Sequence, residues 1–274
     1  MSTNANYHRE PDMKKNRTTA GLAATLAAVA AITLPAAGAG ADPLRIATEG
    51  AYPPFNFVDA SGELQGFDVD IARALCARME VECEISAQAW DGIIPGLNAG
   101  RYDAIVASMS ITPARLEAVN FTQPYYQAGA VLVAATGSDL MPEPDAMAGR
   151  LIGVQRASTY ANLIDQRFPG ATVRLYDTVE NHNLDLIAGR IDGVIAQRIF
   201  MSNWLESADG QGFEMKGEAM LDPDILGLGA GIAIRKSDDA LLAQMDAALT
   251  AIMDDGTYSE INDRWFNVNL MPQR

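Results

Sequence analysis

Residues 99–115 read AGRYDAIVASMSITPAR, a stretch in which a helix stop, a strand and a helix start follow one another directly. Gly100 is placed to end a preceding helix, and the apolar run 102–107 has the length of a buried strand. The strand empties into Ser108, Met109, Ser110 and Ile111. Thr112 then has the character of a helix N-cap, Pro113 of a first helical residue, and Arg115 lies two positions further in. A helix start offers amides without acceptors and the positive end of the aligned peptide dipoles. Arginine's planar fork matches a carboxylate or phosphate at two points. Ser108, Met109, Ser110 and Arg115 are therefore predicted to cradle a small anion at the carboxyl end of a strand. An ordinary cap beside a solvated arginine is the plainer reading of Thr112, Pro113 and Arg115 taken alone.

An echo favours the cradle. Residues 188–197, AGRIDGVIAQ, repeat residues 99–108, AGRYDAIVAS, at an offset of 89. That offset is too long for a solenoid unit and fits two similar lobes, each running helix, glycine stop, Asp-bearing turn and buried strand. Open α/β sheets take ligands beyond the carboxyl ends of their strands. Ser108 and Gln197 are accordingly predicted to face each other across a cleft.

Outward from this stretch, bulk properties set the frame. The chain has 274 residues, 49% of them hydrophobic, enough for one or two packed domains. Residues 1–41 have the form of a cleavable export signal: basic Lys14, Lys15 and Arg17, an Ala/Leu-rich core, and Ala39-Gly40-Ala41 before Asp42. Met13 before the two lysines has the look of a true start. A permanent anchor is the competing reading, weakened by Pro35 and the Gly/Ala tail. Removing the signal takes four basic and two acidic residues and shifts the net charge from −15 to −17. Such a surface repels nucleic acid and anionic lipid. Cys76 and Cys83, exposed after export to an oxidising compartment, read as a structural disulfide joining a helix end to the turn beyond it. Metal ligation or thiol chemistry fits less well without neighbouring histidines.

The first lobe opens with strand 44–48 and a turn, Glu49 to Phe57, whose paired prolines exclude a helix. Glu49 and Tyr52 thus belong to a loop at the strand's carboxyl end. Phe67, Ile71, Ala74 and Leu75 define the inward face of a helix ending at Met79. Asp68 and Asp70 in its first turn read as helix-start charges; two positions apart, they point different ways and make no catalytic pair. Trp90 falls at the next strand-to-helix junction, and with Tyr52 and Glu49 it can sandwich a cation or a planar guanidinium. Residues 128–135 are predicted to cross between lobes. In the second lobe, strand 150–155 leads to Arg156, Ser158 and Thr159 at another helix start, and strands and helices alternate up to residue 206. Residues 226–235, LGLGAGIAIR, read as the return crossover, where glycines let two backbones pass closely. They lack the Lys-Ser/Thr ending of a phosphate loop. Helix 238–254 packs Leu241, Leu242, Met245, Leu249, Ile252 and Met253 inward. His8 lies in the signal and His182 stands alone, and no metal motif, nucleophile elbow or acid/base dyad is present in the sequence.

Gly66-Phe67-Asp68-Val69-Asp70-Ile71, Trp90-Asp91-Gly92-Ile93-Ile94-Pro95-Gly96-Leu97, Ser108-Met109-Ser110-Ile111-Thr112-Pro113-Ala114-Arg115 and the closing Asp255-Gly256-Thr257-Tyr258 resemble the polar amino-acid solute-binding proteins (family 3) of bacterial ABC importers. The likeness extends over residues 42–274. It is strongest to the branch that binds lysine/arginine/ornithine, histidine and octopine/nopaline. The Cys76 and Cys83 spacing also matches a disulfide common among the basic amino-acid binders.

The resemblance implies a two-lobed periplasmic binding fold of type II, α/β, with two crossover hinge strands and a ligand cleft between the lobes. Lobe 1 would comprise residues 42–130 and 228–274, and lobe 2 residues 131–227. It further implies a periplasmic, monomeric, non-enzymatic receptor without metal or other cofactor, delivering a polar or basic amino acid or an arginine-derived opine to an inner-membrane permease. Arg115 would clamp the ligand carboxylate with Ser110 and the amides of Ser158 and Thr159. Ser108 would sit near the α-nitrogen, Tyr52 and Trp90 along the side chain, and Glu49 at a distal cation. Gln197 departs from the aspartate usual at its position. A neutral amide is a weak partner for a primary ammonium, but it suits a secondary amine carrying a second carboxylate, which Arg156 would also favour. Arginine-like amino acids and opines therefore stand level. Two other classes compete: a periplasmic dehydratase-like enzyme on the same fold, and a sensor input domain, which would need a span or signalling domain that the sequence does not show.

Overall fold

The computed structural model describes residues 42–272. The export signal expected over residues 1–41, with Met13 and His8, lies outside the described residues. The first sheet begins with β1 (Leu44–Thr48), followed by a small antiparallel meander of β2 (Ala51–Tyr52), β3 (Asn56–Val58) and β4 (Leu64–Gln65). Helix α1 (Phe67–Met79) leads to β5 (Cys83–Ala87), a 3₁₀ turn over Trp90–Gly92, and α2 (Ile93–Asn98). Then come β6 (Ala104–Ile105), α3 (Pro113–Ala118) and β7 (Val119–Phe121). Strand β8 (Ala130–Ala135) enters the second sheet, followed by α4 (Pro144–Met147), β9 (Leu151–Gln155), α5 (Thr159–Arg167), β10 (Thr172–Tyr176), α6 (Val179–Ile187), β11 (Gly193–Gln197), α7 (Arg198–Glu206) and β12 (Phe213–Met220). Helix α8 (Pro223–Leu226) precedes β13 (Ala233–Arg235), which returns to the first sheet before α9 (Asp239–Asp254) and α10 (Thr257–Trp265) close the chain.

The two sheets have the same plan. Their strand orders are β5-β1-β6-β13-β7 and β10-β9-β11-β8-β12. In each, three strands run parallel and the fourth is antiparallel. The antiparallel member is the strand that has crossed from the other lobe, β13 in one sheet and β8 in the other. The repeated decapeptide lies at equivalent places, with Gly100 and Gly189 both left-handed, at φ 73° and 65°. Asp103 N–H donates to Arg45 O and Asp192 N–H to Leu151 O, both at 2.8 Å, launching β6 and β11 beside β1 and β9. The predicted strand 102–107 shortens to Ala104–Ile105, because the backbone beyond it bends towards a left-handed Ser108 at φ 53°.

The two crossovers touch. Tyr125 N–H donates to Ala230 O at 2.8 Å and Ala230 N–H to Tyr126 O at 2.9 Å. Gly229 stands where the backbones pass, at φ 123°, and a Cβ there would lie 2.7 Å from Tyr126 O. Side chains at such contacts are excluded sterically, which explains the glycine spacing of residues 226–235. Beneath the hinge lies an aromatic cluster: Phe67 meets Tyr258 edge-on at 5.7 Å, and Tyr258 OH donates to Tyr125 O at 2.6 Å. The motifs around Phe67 and Tyr258 thus meet in the core of the first lobe.

Cys76 and Cys83 form a disulfide between the last turn of α1 and the start of β5. Closing so short a loop contributes about 2 to 3 kcal/mol by chain entropy. Cys76→Ser with Cys83→Ser is expected to lower unfolding free energy by that amount in denaturant titrations; an unchanged midpoint would contradict it.

Candidate functional site

The carboxyl ends of the parallel strands converge on one cavity. Glu49 follows β1, Trp90 follows β5, Ser108 and Ser110 follow β6, and Ser158 and Thr159 follow β9. These residues, with Tyr52, Ala107, Arg115, Gln155 and Tyr160, line it.

Arg115 is held at this cavity by its own helix start. Thr112 caps α3, accepting from Arg115 N–H at 3.3 Å, with Pro113 at the first helical position. The guanidinium donates from Nη1 to Ser110 O at 3.0 Å and from Nη2 to Ala157 O at 3.2 Å, the second bond reaching the other lobe. It lies 5.3 Å above the Trp90 ring. Among the described residues, no carboxylate forms an ion pair with Arg115. Burial pulls its pKa down to about 10, so it stays charged at neutral pH. Opposite it, Ser158 caps α5, accepting from Tyr160 N–H at 3.3 Å and donating its own proton to Gln155 O at 2.6 Å. The N–H of Thr159, first in α5, has no acceptor within its helix and carries the positive end of the dipole.

The other end of the cavity is negative and aromatic. Glu49 is 8% exposed and accepts from Gln155 Nε2–H at 2.5 Å across the lobes. Tyr52 stacks on Phe200 of α7 at 4.6 Å. With the bond from Arg115 to Ala157, these contacts hold the lobes together on both sides of the cavity.

Burial pushes the Glu49 carboxyl up to about 7, opposed by the bond from Gln155 and reinforced by the charge of Asp68. Burial likewise raises Asp68 to about 6 against three side-chain donors. In the unfolded chain both groups ionise near ordinary values, 4.5 and 3.8. Between those limits the folded protein holds more protons than the unfolded one, so stability falls as pH rises from about 5 through 7. Asp103, Asp185 and Asp222, held below the ordinary range, act only further into acid. Melting temperatures of the ligand-free protein are expected to drop across that window and to drop less in Glu49→Gln. A rise with pH would contradict the assignment.

The structure brings Glu49, Tyr52, Trp90, Ser108, Ser110, Arg115, Ser158 and Thr159 together at the cavity. Met109 is fully buried in the core behind it. Arg156 is turned away: its Nε lies 2.7 Å from Asp177 Oδ1, and it does not line the cavity. Gln197 accepts from Phe200 N–H at 3.3 Å as the cap of α7 and donates to Tyr126 OH at 2.6 Å. It lines a neighbouring, wider chamber on the hinge side, which shares Ser108, Ser110 and Tyr160 with the first and adds Arg198 and Ser202. Ser108 and Gln197 therefore meet at that chamber. Asp68 corrects the sequence reading. It is in the first turn of α1 as expected but wholly buried, bonded to Asn56, Ser108 and Tyr125, whereas Asp70 pairs with Arg73 and Arg264. Gln155 and Tyr160 were missed, although the strand-end position of Gln155 is itself a signal.

The family model of bacterial extracellular solute-binding proteins, family 3, matches residues 44–268. The chain is 39% identical over 226 residues, 82% of this chain and 91% of the relative, to the putative ABC transporter arginine-binding protein 2 of Escherichia coli K12. It is 34% identical to the octopine-binding periplasmic protein of Rhizobium meliloti, covering 84% of this chain and 92% of that protein. Among solved structures, a Salmonella typhimurium periplasmic binding protein described as having high arginine specificity superposes with a TM-score of 0.78 at 33% identity, over 83% of this chain and all of that one. The matched region takes in both sheets and every residue lining the cavity, and the chain belongs to the bacterial extracellular solute-binding proteins, family 3.

Proposed function

We propose that this chain is the receptor of an ABC importer and carries a cationic amino acid of the arginine type. The observation that carries the reading is the polarity of the cavity. At one end is a guanidinium held by two backbone carbonyls over the Trp90 ring, and at the other a buried carboxyl beside Tyr52. A ligand with a carboxylate at its head and a cation at its tail matches both ends. Arg115, Ser110 and the amides at Ser158 and Thr159 take the carboxylate; Trp90 and Tyr52 flank the tail; Glu49 meets its charge. Names among the relatives support this reading, arginine-binding proteins leading them.

Lobe 1 is residues 42–130 with 228–274, and lobe 2 is 131–227. Ligand seated on lobe 1 draws lobe 2 onto it, because only contacts made in the closed state shift the hinge equilibrium. The monomeric closed form then docks on an inner-membrane permease from the periplasm, where the export signal delivers it. Among the described residues no helix is long and apolar enough to cross a membrane.

A second reading, an arginine-derived opine, draws support from the hinge-side chamber. Gln197 brings no charge there, and the exposed Arg198 lines it without an ion-pair partner among the described residues. Arg156, committed to Asp177, no longer argues for it. Titration calorimetry of ligand-stripped protein with arginine, lysine, ornithine, histidine, octopine and nopaline tests both readings. Micromolar binding, about −8 kcal/mol, is expected for arginine. Tighter binding of octopine favours the second reading, and no heat with any of the six overturns both.

A further inference from the structure

We propose that Asp68 is the positioning residue that turns the Ser108 hydroxyl into a hydrogen-bond acceptor for the ligand's cationic nitrogen, supplying at one remove the charge that Gln197 does not. The inference rests on the reading of this cavity as an amino-acid site.

A single buried carboxylate gathers three donors. Asp68 Oδ2 accepts from Asn56 Nδ2–H at 2.8 Å and from Ser108 Oγ–H at 2.8 Å, and Oδ1 accepts from Tyr125 O–H at 2.7 Å. No arginine or lysine forms an ion pair with it among the described residues. Three donors offset much of the cost of burial, and the group is ionised at neutral pH.

Proton counting sets the polarity of Ser108. A hydroxyl owns one proton, and that of Ser108 is spent on Asp68. The proton of Tyr125 is spent there too, so its oxygen accepts from Ser108 N–H at 2.9 Å. Both donors of Ser108 are thus consumed behind the cavity wall, and acceptors alone remain. The Tyr126 hydroxyl, which receives Gln197 Nε2–H, is a further hydrogen-bonding neighbour of Ser108, and one lone pair of Oγ is still left for the cavity. A residue with acceptors only repels a carboxylate and seats an N–H. Polarisation through the short bond to a carboxylate strengthens that acceptor. The network also holds Ser108 at φ 53°, a left-handed conformation uncommon outside glycine, Asn and Asp. Its other arm steadies the Glu49 turn, since Asn56 Oδ1 accepts from Gly50 N–H at 2.8 Å.

The test separates charge positioning from mere support by using a ligand pair: arginine, and 5-guanidinopentanoate, which lacks the α-nitrogen. Calorimetry is run on wild type, Asp68→Asn, Ser108→Ala and the double variant, with melting curves to confirm folding. Loss of a charge-assisted bond predicts that either single variant weakens arginine roughly 10- to 100-fold. The nitrogen-free analogue should change by less than about threefold, and the double variant should bind arginine no worse than Asp68→Asn alone. Equal losses for both ligands, or additive losses in the double variant, overturn the inference while leaving the functional reading intact. If Asp68→Asn does not fold, Ser108→Ala decides, because it leaves the carboxylate and its other two donors in place. Failure of wild type to bind arginine overturns the functional reading and this inference with it.

Discussion

Arg115→Ala is expected to abolish binding of every ligand in the amino-acid and opine panel. A bidentate guanidinium–carboxylate contact shielded from water is worth several kcal/mol, and truncating one partner strands the other in a desolvated cavity. A loss of about 2 to 5 kcal/mol corresponds to roughly 30- to several-thousand-fold in affinity. The variant also removes the bond from Nη2 to Ala157 O, a contact between the lobes. Closure should suffer together with affinity. Arg115→Lys should recover little, because an ammonium cannot bond Ser110 O, Ala157 O and a carboxylate in one plane. Calorimetry reads the loss and a melting curve shows that the fold survives. Arg115→Ala binding arginine within about threefold of wild type would remove the guanidinium from the site, since even one charge-assisted bond exceeds that margin.

Glu49→Gln is expected to act on one ligand class only. Arginine and citrulline have nearly the same shape and differ in side-chain charge, so their affinity ratio isolates the carboxylate. The variant should weaken arginine by on the order of 30-fold and citrulline hardly at all, bringing the ratio near unity. A pH dependence goes with it. Burial holds the free carboxyl at about 7, and a cation needs it ionised, so arginine binds more tightly as pH rises through that value. In Glu49→Gln the dependence near pH 7 should vanish, leaving only what the Asp68 carboxyl, raised by burial to about 6, contributes at lower pH. Comparable losses for arginine and citrulline would mean that Glu49 supports the lobe contact through Gln155 and not the ligand.

Much of this site was legible in the sequence because strand ends are. The order strand, Ser108, Thr112, Pro113, Arg115 sets a guanidinium at a strand's carboxyl edge by local geometry alone, and the echo at residues 188–197 supplied the second lobe. What failed needed contacts distant in sequence. Helical spacing told that Asp68 and Asp70 diverge, but not that Tyr125, 57 positions on, would cover one of them and hydrogen-bond it. Arg156 follows β9 just as Ser158 and Thr159 do. Its commitment to Asp177 depends on the loop after β10, whose register no local pattern reveals. Gln197 was placed at its strand end, yet the reach of its side chain to Tyr126 depends on how the crossovers pack.

A small acid with a cationic tail is expected to lie between the lobes in one orientation. A crystal structure of the protein with arginine bound decides this orientation. The ligand carboxylate should lie within about 3 Å of the Arg115 guanidinium and the Thr159 amide, its tail between Trp90 and Tyr52 beside Glu49, and its α-nitrogen on Ser108. Arginine bound in reverse, with its tail towards Arg115, or bound outside the cavity, would contradict it.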